Sequence, residues 1–222
     1  MFDVEILVPS LETSRLLLRP LRRTDAPNIQ KYFPHPEIVE FFDSDIPWPY
    51  PPDGALHYLD TVALPAMEAG LEYRWAITLK GSPDHLIGTI TLYPFSPNDN
   101  RGFWLALPFH GQGLMKEAVI AVNDFAFYEL GMKRLYSHGA DKNQATRRLK
   151  EMSGATLIGI EENVSFMSGI GRRLHWVIER AAWDRQRQTL LQCPLTLPVF
   201  AWSAQLMAAQ ATGALDRVRA SA

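Results

Sequence analysis

The run Pro108-Phe109-His110-Gly111-Gln112-Gly113-Leu114-Met115 sets two glycines around one glutamine, directly ahead of a stretch patterned as a helix. Glycine disfavours a helix by up to about 1 kcal/mol relative to alanine, so the pair serves something other than helix propensity. The chemistry it offers is anion binding. A helix N-terminus carries backbone N–H groups without intrahelical partners at the positive end of the dipole, and phosphate oxygens reach them when no Cβ intervenes. Gly111 and Gly113 remove that obstacle, although a plain connection between two elements is the other use of such a turn. The Walker pattern GxxxxGK[ST] is absent, and the dinucleotide pattern GxGxxG fails because Lys116 stands in place of its third glycine. Glu117, in the first helical turn, is where the dipole favours a carboxylate.

The elements that must position this turn are interleaved strands and helices. A short strand is expected over 15–21, then a helix opened by Thr24, Asp25 and Pro27. A proline-rich loop leads into a second helix from Asp53, with an apolar face through Leu56, Leu59, Val62 and Ala63 and a break near Pro65. The runs 73–79, 86–94 and 101–108 read as strands of an antiparallel meander, with turn chemistry in the separators KGSPDH and FSPNDN. After the glycines, Ala118, Val122, Phe125 and Ala126 keep helical spacing up to a cap at Gly131. A strand over 134–140, a helix over 143–154 and a final pair of strands complete the pattern. The class is mixed α/β, and the strand, glycine turn, helix and next strand form a βαβ unit that puts a ligand site at the helix N-terminus.

Composition narrows the function. The chain has 222 residues, 47% of them hydrophobic, enough for one large domain with a real core. A net charge of −2 and scattered arginine pairs argue against a nucleic-acid surface. The single cysteine, Cys193, excludes an internal disulfide and a thiolate metal cluster, so no metal is expected. Neither a basic leader nor an apolar run of membrane-spanning length is present, and a cytoplasmic protein is expected.

The stretch from Gly102 to Ala155 resembles the GNAT superfamily of N-acetyltransferases, in particular its RimJ/RimL branch. The resemblance rests on Gly111-Gln112-Gly113, Glu117-Ala118, Leu130-Gly131, Asn143, Thr146 and Gly154, in order and at workable spacing. The opening LETSRLLLRPLRRTDA and the loop PWPYPPDGALHYL extend it over residues about 10 to 183. It implies a GNAT fold, a mostly antiparallel sheet splayed at the acetyl-CoA site and flanked by helices. The domain would cover 1–183, with 184–222 a partly helical extension in which Val199, Trp202, Leu206 and Ala209 present one face to the body or to a second subunit of a homodimer.

The resemblance further implies acetyl-CoA as donor. The pyrophosphate would sit on the N–H groups of His110, Gly111, Gln112, Gly113, Leu114 and Met115, and the pantetheine arm would pair with the backbone of Leu105, Ala106 and Leu107. Asn143 would meet the pantetheine or the substrate, or simply cap its helix, and the Thr146 hydroxyl would lie near the sulfur. Departures are plain. Pro108 replaces a basic or amide residue three positions before the first glycine, and Lys150 stands where many members carry a tyrosine acid. Ala155 replaces an aromatic, and Leu174 stands before His175 where relatives often have Asp.

Acetyl transfer asks for a proton acceptor for the amine and stabilisation of the oxyanion and the thiolate. His138, with Asp99 behind it, is the candidate base, against a structural role for a lone strand histidine. The acceptor is expected beneath the first two helices, where His35, Trp48 and Tyr50, with Phe42 and neighbouring carboxylates, suit an ammonium group or simply pack as a proline-stiffened loop. A protein N-terminal α-amine is the leading acceptor. A polyamine, an amine-bearing antibiotic, a catalytically weak acyl-CoA-binding protein and a nucleotide-binding module remain open alternatives.

Overall fold

Three apolar runs separated by turns make the centre of the protein. In the computed structural model, which describes residues 8–192, β3 (Tyr73–Leu79), β4 (Ser82–Leu92) and β5 (Arg101–Leu105) form the expected antiparallel meander. It is extended by β2 (Leu16–Pro20) and the short β1 (Leu11–Glu12) into a five-stranded sheet of order β1-β2-β3-β4-β5. The turn between β3 and β4 is tighter than the sequence suggests. Ser82 to His85 belong to β4, and a register shift between Thr78 and Leu79 absorbs the extra residues.

Both faces of this sheet are covered, which is why β3 is buried almost throughout. On one face lie α1 (Ala26–Tyr32), α2 (Pro36–Val39), α3 (Gly54–Tyr58) and α4 (Leu64–Glu68), whose apolar residues meet Ala76, Leu86 and Trp104. Leu59 and Ala63 are buried as expected, but Val62 is 46% exposed and belongs to a cavity wall rather than to the packed face. The break sits just ahead of Pro65: Leu59–Ala63 winds as a π-helical turn, and the Leu64 N–H reaches the Leu59 carbonyl.

On the other face α5 (Leu114–Asp124) and its π-helical continuation Phe125–Glu129 pack against Leu16, Leu18, Trp75 and Ile77. The helix ends at Gly131, φ 66°, as a C-terminal glycine requires. A second, three-stranded sheet of order β6-β8-β7 follows, made of β6 (Arg134–Ala140), β7 (Thr156–Phe166) and β8 (Gly169–Glu179), with α6 (Gln144–Met152) between β6 and β7. The final helix α7 (Arg180–Gln192) continues through position 183, the expected domain boundary. It docks on α5: Asp124 accepts from Trp183 Nε1 at 2.9 Å and from Arg187 Nε at 2.8 Å, and both partners are buried. The helical spacing at 199–209 and Cys193 lie outside the described residues.

The two sheets meet at β5 and β6 without forming a shared ladder. Asn100 joins them at one end: its N–H donates to the Tyr136 carbonyl at 2.8 Å, and its Oδ1 accepts from the Tyr136 N–H at 2.7 Å. Asn100 is itself held by Nδ2 bonds to the carbonyls of Tyr93 and Ser96, each 2.8 Å. Beyond this tie no backbone hydrogen bond joins β5 to β6 among the described residues, and β5 stops at Leu105. The strand expected to reach residue 108 is replaced at Leu107–Phe109 by a 3-10 turn, because Pro108 fixes its φ and has no N–H to give a ladder.

Candidate active site

The glycine turn closes the open end of β5. Gly111 and Gly113 have φ of 73° and 74°, a conformation that L side chains rarely adopt, and Gly113 caps α5. A Cβ at Gly111 would meet nothing within 4 Å among the described residues. Among the described residues, none of the backbone N–H groups from Gly111 to Lys116 reaches a backbone acceptor, and the helical pattern starts with Glu117 N–H to the Gly113 carbonyl at 3.1 Å. The amide of His110 differs from expectation, since it already donates to the Leu107 carbonyl at 3.1 Å. The His110 ring turns back to Leu105, its Nε2 lying 2.8 Å from that carbonyl, and the Phe109 N–H donates to the Ala106 carbonyl at 2.9 Å, so all three carbonyls of Leu105, Ala106 and Leu107 are engaged and Leu107 has left the strand. The Ala106 N–H in turn donates to Ile87 at 2.8 Å.

Glu117 fixes the turn from below. Its buried carboxylate accepts from the Thr13 hydroxyl, from Ser14 Oγ at 3.0 Å, from the Arg15 N–H at 2.8 Å and from Arg15 Nε at 2.7 Å. Burial alone would raise its pKa, but these donors outweigh burial and hold it below the ordinary carboxylate value. Arg15 Nη1 continues to the Gln112 carbonyl at 2.9 Å. Its Nη2 is the atom nearest to a Cβ built on Gly113, at 3.7 Å. A half-exposed guanidinium thus lies beside the open amides.

Past the Asn100–Tyr136 tie, side chains alternate between faces. On β5, Arg101 points to α5, where its Nη1 donates to Asn123 Oδ1, while Gly102 and Trp104 line a cavity on the opposite face. On β6, Gly139 faces α6, with Thr146 Cγ2 and Lys150 Nζ 3.6 and 3.0 Å from the place of its Cβ. His138 therefore faces away from α6, on the other side of its sheet, outside the lining of the cavity. Its Nε2 lies 3.1 Å from Asp99 Oδ2, as the sequence pairing of the two anticipates, and its ring stands edge-on to that of His175, centroids 6.0 Å apart. His175 Nε2 lies 3.2 Å from Glu161 Oε2.

Asn143 caps α6, its Oδ1 accepting from the Thr146 N–H at 3.0 Å, and Thr146 is half-buried beside Lys150. Lys150 is 2% exposed and donates through Nζ to the His138 carbonyl at 2.6 Å. Burial and the nearby Arg101 lower its pKa to about 7, against the pull of Asp99. Burial likewise lowers that of Arg101 to about 10, again opposed by Asp99.

The cavity between β4–β5 and the first helices has a volume of about 640 Å3. Phe33, Phe42, Tyr50 and Trp104 wall its apolar side, and the exposed Asp45 and Asp53 stand at its rim. At its inner wall Arg74 donates through Nε to Glu72 at 2.5 Å and through Nη1 to the Tyr58 hydroxyl, with the Tyr93 ring 5.7 Å away. Of the three acceptor candidates only Tyr50 lines the cavity. Trp48 is 48% exposed, and His35 is exposed with Nε2 3.2 Å from the Lys31 carbonyl. Sequence reasoning did not find Arg74, Tyr58 and Tyr93, because they are spread over 36 residues and meet only across the sheet; nor did it find Asn100, which reads as a turn residue.

Comparison with known proteins agrees with this geometry. Residues 15–156 match the family described as "Acetyltransferase (GNAT) domain". A curated relative, the probable N-acetyltransferase YjcK of Bacillus subtilis, is 31% identical over 108 residues, which span 47% of this chain and 59% of that protein. Among solved structures, Mycobacterium smegmatis RimJ in complex with CoA-disulfide superposes with a TM-score of 0.68 at 16% identity, covering 84% of this chain and 96% of that one. The ribosomal-protein-S5-alanine acetyltransferase from Vibrio fischeri gives 0.65 at 18% identity, covering 78% and 98%.

Proposed function

The chain belongs to the GNAT family of acetyltransferases, and we propose from the geometry of its site that it moves the acetyl group of acetyl-CoA onto a primary amine, with a protein or peptide α-amine as the acceptor. The observation that carries the donor is the run of N–H groups from Gly111 to Lys116 without backbone acceptors at the start of α5, beneath two glycines that leave the approach open. That is a phosphate cradle by backbone geometry alone. Arg15 adds a fixed cation beside it and answers the loss of a phosphate-orienting side chain at Pro108.

The divergence of β5 from β6 separates a donor side, with α5 and α6, from an acceptor side, with the cavity. The thioester is held between them. The amine, entering through the cavity past Asp45 and Asp53, attacks the carbonyl carbon, the C–S bond breaks, and the thiolate leaves toward Thr146. His138 takes the amine's proton. Its Nε2 side is committed to Asp99, so Nδ1 is the basic atom, and Asp99 stabilises the imidazolium that forms. Most of the acceleration is positional, because a neutral amine is already a good nucleophile and a thiolate a fair leaving group.

The similarity in fold to the ribosomal-protein-S5-alanine acetyltransferase supports an α-amine acceptor. The size of the cavity, with carboxylates at its rim, also suits a small ammonium compound such as a polyamine or an amine-bearing antibiotic. The test is a competition: the protein is incubated with acetyl-CoA and an equimolar mixture of alanine- and serine-initiated peptides, spermidine and an aminoglycoside. Mass spectrometry then identifies the acetylated species. Acetylation of the peptides at the α-amine supports the proposal, and acetylation confined to the small amines overturns its acceptor.

A further inference from the structure

Beneath the Asn100–Tyr136 tie lies a group of buried polar side chains that the catalytic account above does not use. Arg101 is 5% exposed, Asn123 0%, Ser137 4% and Lys150 2%. Arg101 and Ser137 directly follow the two tied residues; Arg101 reaches Asn123 on α5, and Ser137 shares a face of β6 with Gly139, over which Lys150 lies. Lys150 enters from α6 and ends on the His138 carbonyl. Five buried atoms of this group have no hydrogen-bond partner among the described residues: Asp99 Oδ1, Arg101 Nε and Nη2, Asn123 Nδ2 and Ser137 Oγ.

One unsatisfied buried polar atom is destabilising by about 1–3 kcal/mol, so five in one place require an explanation. They include donors, an acceptor and a hydroxyl that can be either, the set that internal water satisfies. Asp99 connects this chamber to the acceptor side, since one of its oxygens faces His138 and the other belongs to the chamber. Lys150 connects it to the donor side, since it shares the surface over Gly139 with the Cγ2 methyl of Thr146. The charged and titratable groups facing the chamber are Asp99, Arg101 and Lys150, with His138 beyond Asp99; α5 contributes the neutral Asn123 and β6 the neutral Ser137.

We propose that this chamber is a proton path through the sheet, in which Lys150 returns to the departing thiolate the proton that His138 removes from the amine. Acetyl transfer needs such a return: the amine nitrogen gains a bond to carbon and loses a proton, and the sulfur keeps the electron pair of the broken C–S bond and needs one. The proton passes from His138 Nε2 to Asp99, through water seated on the five atoms, to Lys150 Nζ, and from there by way of the Thr146 hydroxyl to sulfur. Lys150 is thus a positioning residue for the proton, and the surrounding burial suits it, since an amine that exchanges a proton near neutrality matches a thiol better than an ordinary lysine does.

The inference rests on CoA binding at the Gly111–Gly113 turn, and its test needs no acceptor. Full-length protein is saturated with CoA, and the thiolate absorbance of the bound thiol is titrated in wild type, Lys150→Met and Ser137→Ala. A Lys150 proton shared with the thiolate through Thr146 predicts a wild-type transition below that of free CoA, and a shift of about one pH unit or more to higher pH in Lys150→Met. The affinity for CoA changes less than about threefold. Ser137→Ala, which leaves α6 untouched, shifts it in the same direction by a smaller amount and serves alone if Lys150→Met does not fold. Coincident titrations in wild type and the folded variants overturn the relay. Failure of the wild-type protein to bind CoA at all overturns instead the reading of the turn on which the relay depends.

Discussion

Arg15 and Glu117, 102 residues apart, are joined by two hydrogen bonds, one from the Arg15 N–H and one from its Nε, and together they lock the edge of the first sheet to the first turn of α5. The same guanidinium holds the Gln112 carbonyl of the glycine turn. The phosphate cradle is therefore clamped from outside its own sequence.

Removing that clamp should lower stability and loosen the cradle together. Glu117→Ala leaves the donors of Thr13, Ser14 and Arg15 without their acceptor and is expected to destabilise by about 2–3 kcal/mol in urea unfolding at neutral pH. Because the folded-state pKa of Glu117 is depressed, its contribution is fully present above the unfolded pKa and is lost as pH falls through the folded value. The difference between wild type and Glu117→Ala should accordingly shrink in acid. Arg15→Ala should weaken acetyl-CoA binding by about tenfold, one charge-assisted contact.

The positional account limits what single side chains can contribute. Thr146→Ala is expected to lower kcat by no more than about a hundredfold, with acetyl-CoA binding only mildly weaker. His138→Ala should flatten the acidic limb of the kcat profile, because the group whose protonation stops the reaction has been removed. Losses above about 10,000-fold in either variant with binding intact would show an obligatory acid/base pair instead.

The cavity is assigned to the acceptor alone, so narrowing it should separate the two substrates. Val62 lines it and is 46% exposed, and a larger side chain there can be added without disturbing the packed core. Val62→Trp is expected to raise KM for the acceptor by about tenfold or more while the calorimetric Kd of acetyl-CoA stays unchanged.

Much of this arrangement could be read from residue patterns, and what could not has a physical reason. The meander, α5 and α6 with their terminal glycines, and β6 from Arg134 to Ala140 follow from periodicity and caps, which are local. The pairing of His138 with Asp99 was also accessible, since His138 stands on β6 and Asp99 just ahead of β5. The capture of the Leu105 carbonyl by the His110 ring was not, because it depends on how Pro108 turns the chain after β5. Trp48 and His35 show the limit of composition: aromatic and basic residues in a loop next to a cavity do not all point into it, and of this stretch Phe42 and Tyr50 line the cavity while Trp48 and His35 do not. The polar chamber was equally out of reach. Arg101, Asn123, Ser137 and Lys150 come from four elements, and their burial together is a property of the sheet divergence rather than of any one segment.

The central claim is that acetyl-CoA is held through its phosphates on the open amides between Gly111 and Lys116. Calorimetric titration of acetyl-CoA into wild type and Gly113→Asp tests it most directly, with circular dichroism to confirm that the variant folds. An aspartate at this position carries a negative charge into the phosphate site and strains a backbone with φ of 74°. Micromolar-range binding by wild type and a loss of at least about a hundredfold in the folded variant is the result expected. Equal affinity in the two proteins, with the variant folded, would contradict the assignment of this turn and the mechanism built on it.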